Sequence, residues 1–232
     1  KEGEKMKRIL FLLLAVIAVL CFSRPAVATL IDNGSFAYDD GANHTGFVNL
    51  IYDEDLDITW VGHGNFADET GFDNGGVMLW NDAVSWASGL TIGGLGGWRL
   101  PTTTFGITIG ANINEGEMAH LFNDELGGTY TQNISTSGDP DLSLFPGLIN
   151  HAYFTGIENG GGAYTFSFGA NASGGKHDLV TKNSGWYALA VHDGEISAVP
   201  EPTTVALLGI GLVGLAGAEV RRRRKKRAVG KS

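Results

Sequence analysis

Leu50-Ile51-Tyr52-Asp53-Glu54-Asp55-Leu56-Asp57-Ile58-Thr59-Trp60 places two short apolar runs on either side of an acidic turn. Leu56, Ile58 and Trp60 alternate, and a strand's period of two puts all three on one face. The segment predicts a β-hairpin. Downstream, Trp80, Ala83, Val84 and Ala87 recur at helical spacing, with Asn81 or Asp82 as the cap and Gly89 as the stop. A second helix is expected from Asn114, with Glu117 as its capping partner, Met118, Leu121, Phe122 and Leu126 on its apolar face, and Gly127-Gly128 at its end. Between the helices lies Gly96-Gly97-Trp98-Arg99-Leu100-Pro101-Thr102. Pro101 forces Leu100 to be extended, so Trp98 and Leu100 share one face and Arg99 takes the other, where it is expected to pair with a carboxylate. Ala152 to Gly156, Ala163 to Phe168 and Trp186 to Val191 read as further short strands split by Gly and Asn loops. The fold class is α+β.

The charge on this middle region is one-sided. Between Thr29 and Val199 stand 21 Asp and Glu against three basic residues, Arg99, Lys176 and Lys182, a net charge of −18 hidden inside a whole-chain value of −9. Such a surface repels nucleic acid and anionic lipid and attracts divalent cations. The only cysteine, Cys21, lies in the N-terminal apolar run, so the domain has no disulfide and no thiolate nucleophile. Gly supplies 35 of 232 residues without a fixed period, which indicates many tight turns rather than a repeat array.

The two ends are of another kind. Lys7-Arg8 precedes a 14-residue apolar run, Ile9 to Phe22, and Ala26-Val27-Ala28 supplies the small-x-small pattern cut by signal peptidase. Residues 1–28 read as a secretory signal cleaved after Ala28. At the other end Pro200-Glu201-Pro202 leads into an 18-residue apolar stretch, Thr203 to Val220, interrupted only by Glu219 and followed by seven basic residues that begin Arg221, Arg222, Arg223, Arg224. As a helix that stretch rises about 27 Å, enough to cross the inner membrane, and the basic cluster holds its end in the cytoplasm. The reading is three-part: signal 1–28, exported domain 29–199 with its core at about 50–194, and tail 200–227.

Pro-Glu-Pro, span and arginine cluster together resemble the PEP-CTERM sorting signal. That resemblance implies recognition by exosortase, a membrane-embedded cysteine protease, with the chain cut near Pro200 to Pro202 and released or attached at the cell surface. The domain is similar to the DUF1566 or Lcl C-terminal family, on Leu50 to Trp60, the Trp80 helix, Trp98-Arg99-Leu100-Pro101, Glu117-Met118 with Leu121, and the segment from Tyr187 to Gly194. The chain departs from that family at Phe154-Thr155-Gly156 and at His192. The resemblance implies a C-type-lectin-like fold, two helices flanking short antiparallel strands, and a non-enzymatic binding role among extracellular polysaccharides of a biofilm. The alternatives are a secreted polysaccharide hydrolase and a purely structural matrix protein.

Few constellations carry chemistry. Asp53, Asp55 and Asp57 mimic half of an EF-hand loop, but Ile58 replaces the required Gly and Gly64 the required Glu, which leaves a looser Ca2+ site or a solvated acidic turn. Trp80-Asn81-Asp82 copies a lectin calcium tripeptide in the wrong place and reads as a cap. Glu117 and His120 share a helical face without an HExxH motif, and the six histidines are scattered. Asp139, Asp141 and Glu158 could be offered as a glycosidase pair, although 21 carboxylates guarantee some proximity. No catalytic residue is assigned.

Overall fold

The computed structural model describes residues 29–107, 109–111, 114–170 and 173–197. The cleavage residues Ala26 and Ala28 and the sorting residues Pro200, Glu201, Pro202 and Arg221 to Arg224 lie outside the described residues, as does the span expected from Thr203 to Val220. Among the described residues no helix is long and apolar enough to cross a membrane.

The expected hairpin is present and forms the middle of a larger sheet. Strand β2 (Thr45–Asp53) pairs antiparallel with β3 (Ile58–Val61) in the register Ile51 with Trp60 and Asp53 with Ile58. Outside β2 lies β1 (Leu30–Asp39), a ten-residue strand upstream of the expected core, and beyond it β4 (Thr91–Ile92). Outside β3 lies β9 (Val191–Asp193), so the order is β4-β1-β2-β3-β9. A second antiparallel sheet runs β5 (Gly110–Ala111), β8 (Lys176–Thr181), β7 (Gly162–Ser167), β6 (Ala152–Asn159). The domain is mostly sheet with few helices, α+β as expected.

The hairpin is buried on both faces. Val48, Leu50 and Val61 join a core with Trp86, Ala83 and Ala87 of the helix Trp80–Gly89, and with Trp98 and Leu100. Ile51, Ile58 and Trp60 join a second core with Met118, Leu121, Phe122, Leu126, Tyr153, Phe166 and Phe168. Double burial explains why the strands read as nearly unbroken apolar runs, as central strands do. The last strand segment divides itself between the two cores, Trp186 packing on the first and Tyr187 on the second.

Among the described residues the α-helices are α1 (Phe66–Glu69), α2 (Trp80–Gly89) and α3 (Glu117–His120). Neither Asn81 nor Asp82 caps α2. The N-cap is Leu79 with no side-chain bond, and Asp82 sits inside the first turn, where a carboxylate still favours the helix dipole. Asn114 does not cap α3 either. The N-cap is Gly116 at φ 93°, where an added Cβ would stand 2.7 Å from the Thr103 hydroxyl. This close approach brings Glu117 against the Thr102 backbone. Beyond His120 the helix loosens into a π-helical turn, Leu121–Glu125, closed by Leu126 N–H donating to Leu121 O at 2.9 Å. The expected apolar residues all stay buried.

Candidate functional site

Two polar constellations meet on α3 and its π-turn. The first is built from Arg99. Its backbone N–H and C=O exchange hydrogen bonds with Val191, both at 2.9 Å, which locks the Trp98-Arg99-Leu100 segment against the end of the first sheet. Trp98 and Leu100 turn into the core and Arg99 turns out, as the alternation requires. The guanidinium binds Glu117 in a two-pronged pair, 2.9 and 2.8 Å, and its Nε donates to Asp193 at 3.0 Å. Glu117 also accepts from Thr102 N–H at 2.7 Å. Glu117, with the hydrogen bond it accepts, is the main reason the guanidinium is held more firmly protonated than usual, and Asp193 adds to this. Glu117 is 13% exposed and Asp193 78%, so the inner pair carries the weight. The expected carboxylate partner of Arg99 is therefore Glu117, and the arrangement is a structural clip.

The second constellation lies one turn further on. His120 Nε2 faces Glu125 Oε1 at 3.2 Å, Asp53 Oδ1 at 3.8 Å and Asp55 Oδ2 at 3.9 Å, and its Nδ1 faces Asp124 Oδ2 at 3.1 Å. The side chains of Asp53 and Glu125 have 0% exposure. Asp53 is held at the base of the hairpin turn, accepting from Leu56 N–H at 3.0 Å and from the Trp60 indole at 3.3 Å. One donor atom each from Asp53, His120 and Glu125 can be chosen so that all three lie within 4.8 Å of one another. Glu125 Oε2 is buried with no hydrogen-bond partner. Burial first, and the Asp53 charge second, push the Glu125 carboxyl up to about 7, and burial raises Asp53 against its two hydrogen bonds.

The π-turn creates this cluster. On a 3.6-residue helix a residue five positions on is turned by about 140°, facing away from His120. The wider turn returns Glu125 to the His120 side, and Asp124 flanks the other ring nitrogen. Of the expected acidic trio, Asp53 and Asp55 face this point. Asp57 does not join them: it sits at φ 51° at the end of the turn, and its carboxylate accepts from Tyr52 Oη at 2.9 Å. His120 and Glu125 were not among the ligands expected from sequence, and Glu117, which shares a helix with His120, is spent on Arg99. Asp139 caps the short helical turn Pro140–Leu144 by accepting from Asp141 N–H, while Glu158 is ion-paired with Lys182.

Away from both constellations, the second sheet bears an open cleft of about 200 Å³. Thr165, Ser167, Lys176 and Asp178 give it polar groups, and His151 and Trp186, ring centroids 5.2 Å apart, give it an aromatic wall.

Residues 198–224 match the PEP-CTERM protein-sorting motif. The chain carries an exosortase sorting signal. That PEP-CTERM signal contains Pro200, Glu201, Pro202 and Arg221 to Arg224, and it implies export, a membrane anchor before processing, and exosortase as a processing partner. Neither a curated protein nor a solved structure matches the chain.

Proposed function

We propose that the exported domain is a non-enzymatic, lectin-like binding module that works at the cell surface or in the extracellular polysaccharide layer after exosortase has removed its anchor. The observation that carries this reading is the PEP-CTERM match at residues 198–224, which directs an acidic domain out of the cell. The DUF1566-like order of motifs favours a C-type-lectin-like arrangement for it. The cleft on the second sheet suits a sugar better than an apolar ligand, because hydroxyls and charges stand beside an aromatic wall.

The rival reading, a secreted hydrolase, would rest on Asp53 and Glu125, the two carboxylates whose surroundings most resemble an acid and base pair. Side chains with no exposed surface do not reach a glycosidic bond, which disfavours it. The test is an array of extracellular polysaccharides probed with the exported protein and with its Trp186→Ala variant. Retention of one polysaccharide class that is lost in Trp186→Ala is the expected result. Cleavage products would turn the assignment to a hydrolase, and no retention on any polysaccharide would leave a structural matrix protein.

A further inference from the structure

The cluster around His120 holds more negative charge than the chain compensates. Asp53 and Glu125 are fully enclosed, Asp55 and Asp124 stand at their edge, and Arg99, one helical turn away, is bound to Glu117 and Asp193. Enclosed carboxylates need a cation or a proton, since burying them charged and unpaired is strongly unfavourable. Three features say which cation the pocket is shaped for.

The first is the imidazole. His120 Nε2 is hydrogen-bonded to Glu125 Oε1 at 3.2 Å and also faces Asp53 and Asp55, while Asp124 stands 3.1 Å from Nδ1 on the other side of the ring. One imidazole nitrogen therefore meets three carboxylates, and a proton on it answers only one of them. A carboxylate behind a histidine that presents its other nitrogen is the usual support of a metal-bound imidazole. The second is spacing. Bonds of about 2.0–2.2 Å to a tetrahedral ion set its donors roughly 3.3–3.6 Å apart, and the three oxygens stand 3.2, 3.8 and 3.9 Å from Nε2. The third is the spare acceptor: Glu125 Oε2 is buried and has no partner, so the carboxylate has a coordination valence in hand.

We propose that Asp53, His120 Nε2 and Glu125 form a structural site for a divalent transition metal of the zinc class, with Asp55 closing it on the solvent side and Asp124 as the positioning residue behind His120. An imidazole donor selects against calcium, which takes six to eight oxygens at about 2.3–2.6 Å. The ion ties the hairpin turn to the π-turn, two segments 67 residues apart at Asp53 and His120, and so acts as a cross-link in a domain that has no cysteine. This inference does not depend on the lectin-like reading.

The experiment uses the full chain without a histidine tag, stripped with chelator and titrated with Zn2+, Mn2+, Ca2+ or Mg2+ at matched ionic strength. One equivalent of Zn2+ is expected to bind, and at about 100 times its dissociation constant to raise the melting temperature by several degrees, with Ca2+ and Mg2+ far weaker. His120→Gln should abolish the shift, and Asp124→Asn should weaken binding about 10–100-fold while leaving the stoichiometry at one. Should His120→Gln fail to fold, Co2+ added to the wild-type chain supplies the second readout, a visible absorption typical of tetrahedral nitrogen and oxygen ligation. Absence of stoichiometric Zn2+ binding, or undiminished binding by a folded His120→Gln, overturns the site and leaves a proton-held carboxylate cluster. A shift with Ca2+ alone overturns it in favour of an oxygen-only turn site.

Discussion

Glu117 and His120 stand one helical turn apart on α3, and their surroundings are opposites. Glu117 meets Arg99, a cation the chain provides, and every charge at that place is answered within hydrogen-bond distance. His120 meets Asp53, Asp55, Asp124 and Glu125, and the chain sends no lysine or arginine to them among the described residues. With three basic residues against 21 acidic ones in this domain, paired carboxylates are the minority, and where a fixed cation is spent tells which constellation is complete. The completed one is a clip. The incomplete one is where a ligand belongs.

That contrast breaks most visibly at Arg99. Arg99→Ala leaves Glu117 mostly enclosed and uncompensated and should cost about 3 kcal/mol, read as a drop in melting temperature of roughly 6–12 °C for a domain of this size. A loss of only a degree or two would show that the clip contributes little and that the distinction between the two places is not energetic. Next in size is Glu125→Gln in chelator at pH 8. Removing one of two neighbouring enclosed carboxylates should raise the melting temperature of the metal-free chain by a few degrees, whereas in Zn2+ the wild type should melt higher than the variant. A variant that is less stable under both conditions would mean that Glu125 is answered by a group of the chain itself.

A smaller effect is expected at His177 in the second sheet, which is enclosed with neither ring nitrogen hydrogen-bonded and packs edge-on against Phe166 at 5.0 Å. Burial lowers its tendency to protonate, only partly offset by Glu115, so the folded form binds fewer protons than the unfolded chain just below pH 6.5. Stability should therefore fall as pH drops below about 6.5, and His177→Phe should flatten that slope. Parallel melting curves for the two proteins between pH 7 and 5 would place the acid sensitivity elsewhere. Smallest of all is Asp57→Asn, which should leave both metal affinity and stability within about 0.5 kcal/mol of wild type, because Asn accepts positive φ and Asp57 does not face His120. A large loss of affinity would restore the acidic turn as a site in its own right.

The elements with one dominant signal were legible from sequence. The hairpin, α2 and the Trp98-Arg99-Leu100 alternation each rest on a period that packing reinforced, and a scarce cation in an acidic domain had to find a carboxylate. Strand β1 was not legible, because its register shifts between Asp32 and Ser35 and much of it is half exposed, so neither period survives along its length. Strand β8 buries His177 and exposes Lys176 and Asp178, which reads as a polar loop. The caps at Asn81, Asp82 and Asn114 failed for a different reason. A cap is decided by the entry angle of the chain, and Leu79 in extended conformation and Gly116 at positive φ set those angles. Two of the acidic trio, Asp53 and Asp55, face the cluster, but their partner Glu125 was not legible, because an α-helical period turns it away and nothing local in Leu121 to Glu125 announces the wider turn.

The π-turn also bears on insertions and deletions. His120 is separated from Asp124 and Glu125 by the i+4 and i+5 steps, and deletion of Asn123 would return those two carboxylates to i+3 and i+4, the positions that flank a side chain on a regular helix. The cluster therefore tolerates a chain one residue shorter at this place, but one residue longer would carry Glu125 past the imidazole. A related sequence with a one-residue gap between its histidine and glutamate is expected to keep the same ligands on a straight helix, and an alignment that penalises that gap would miss them.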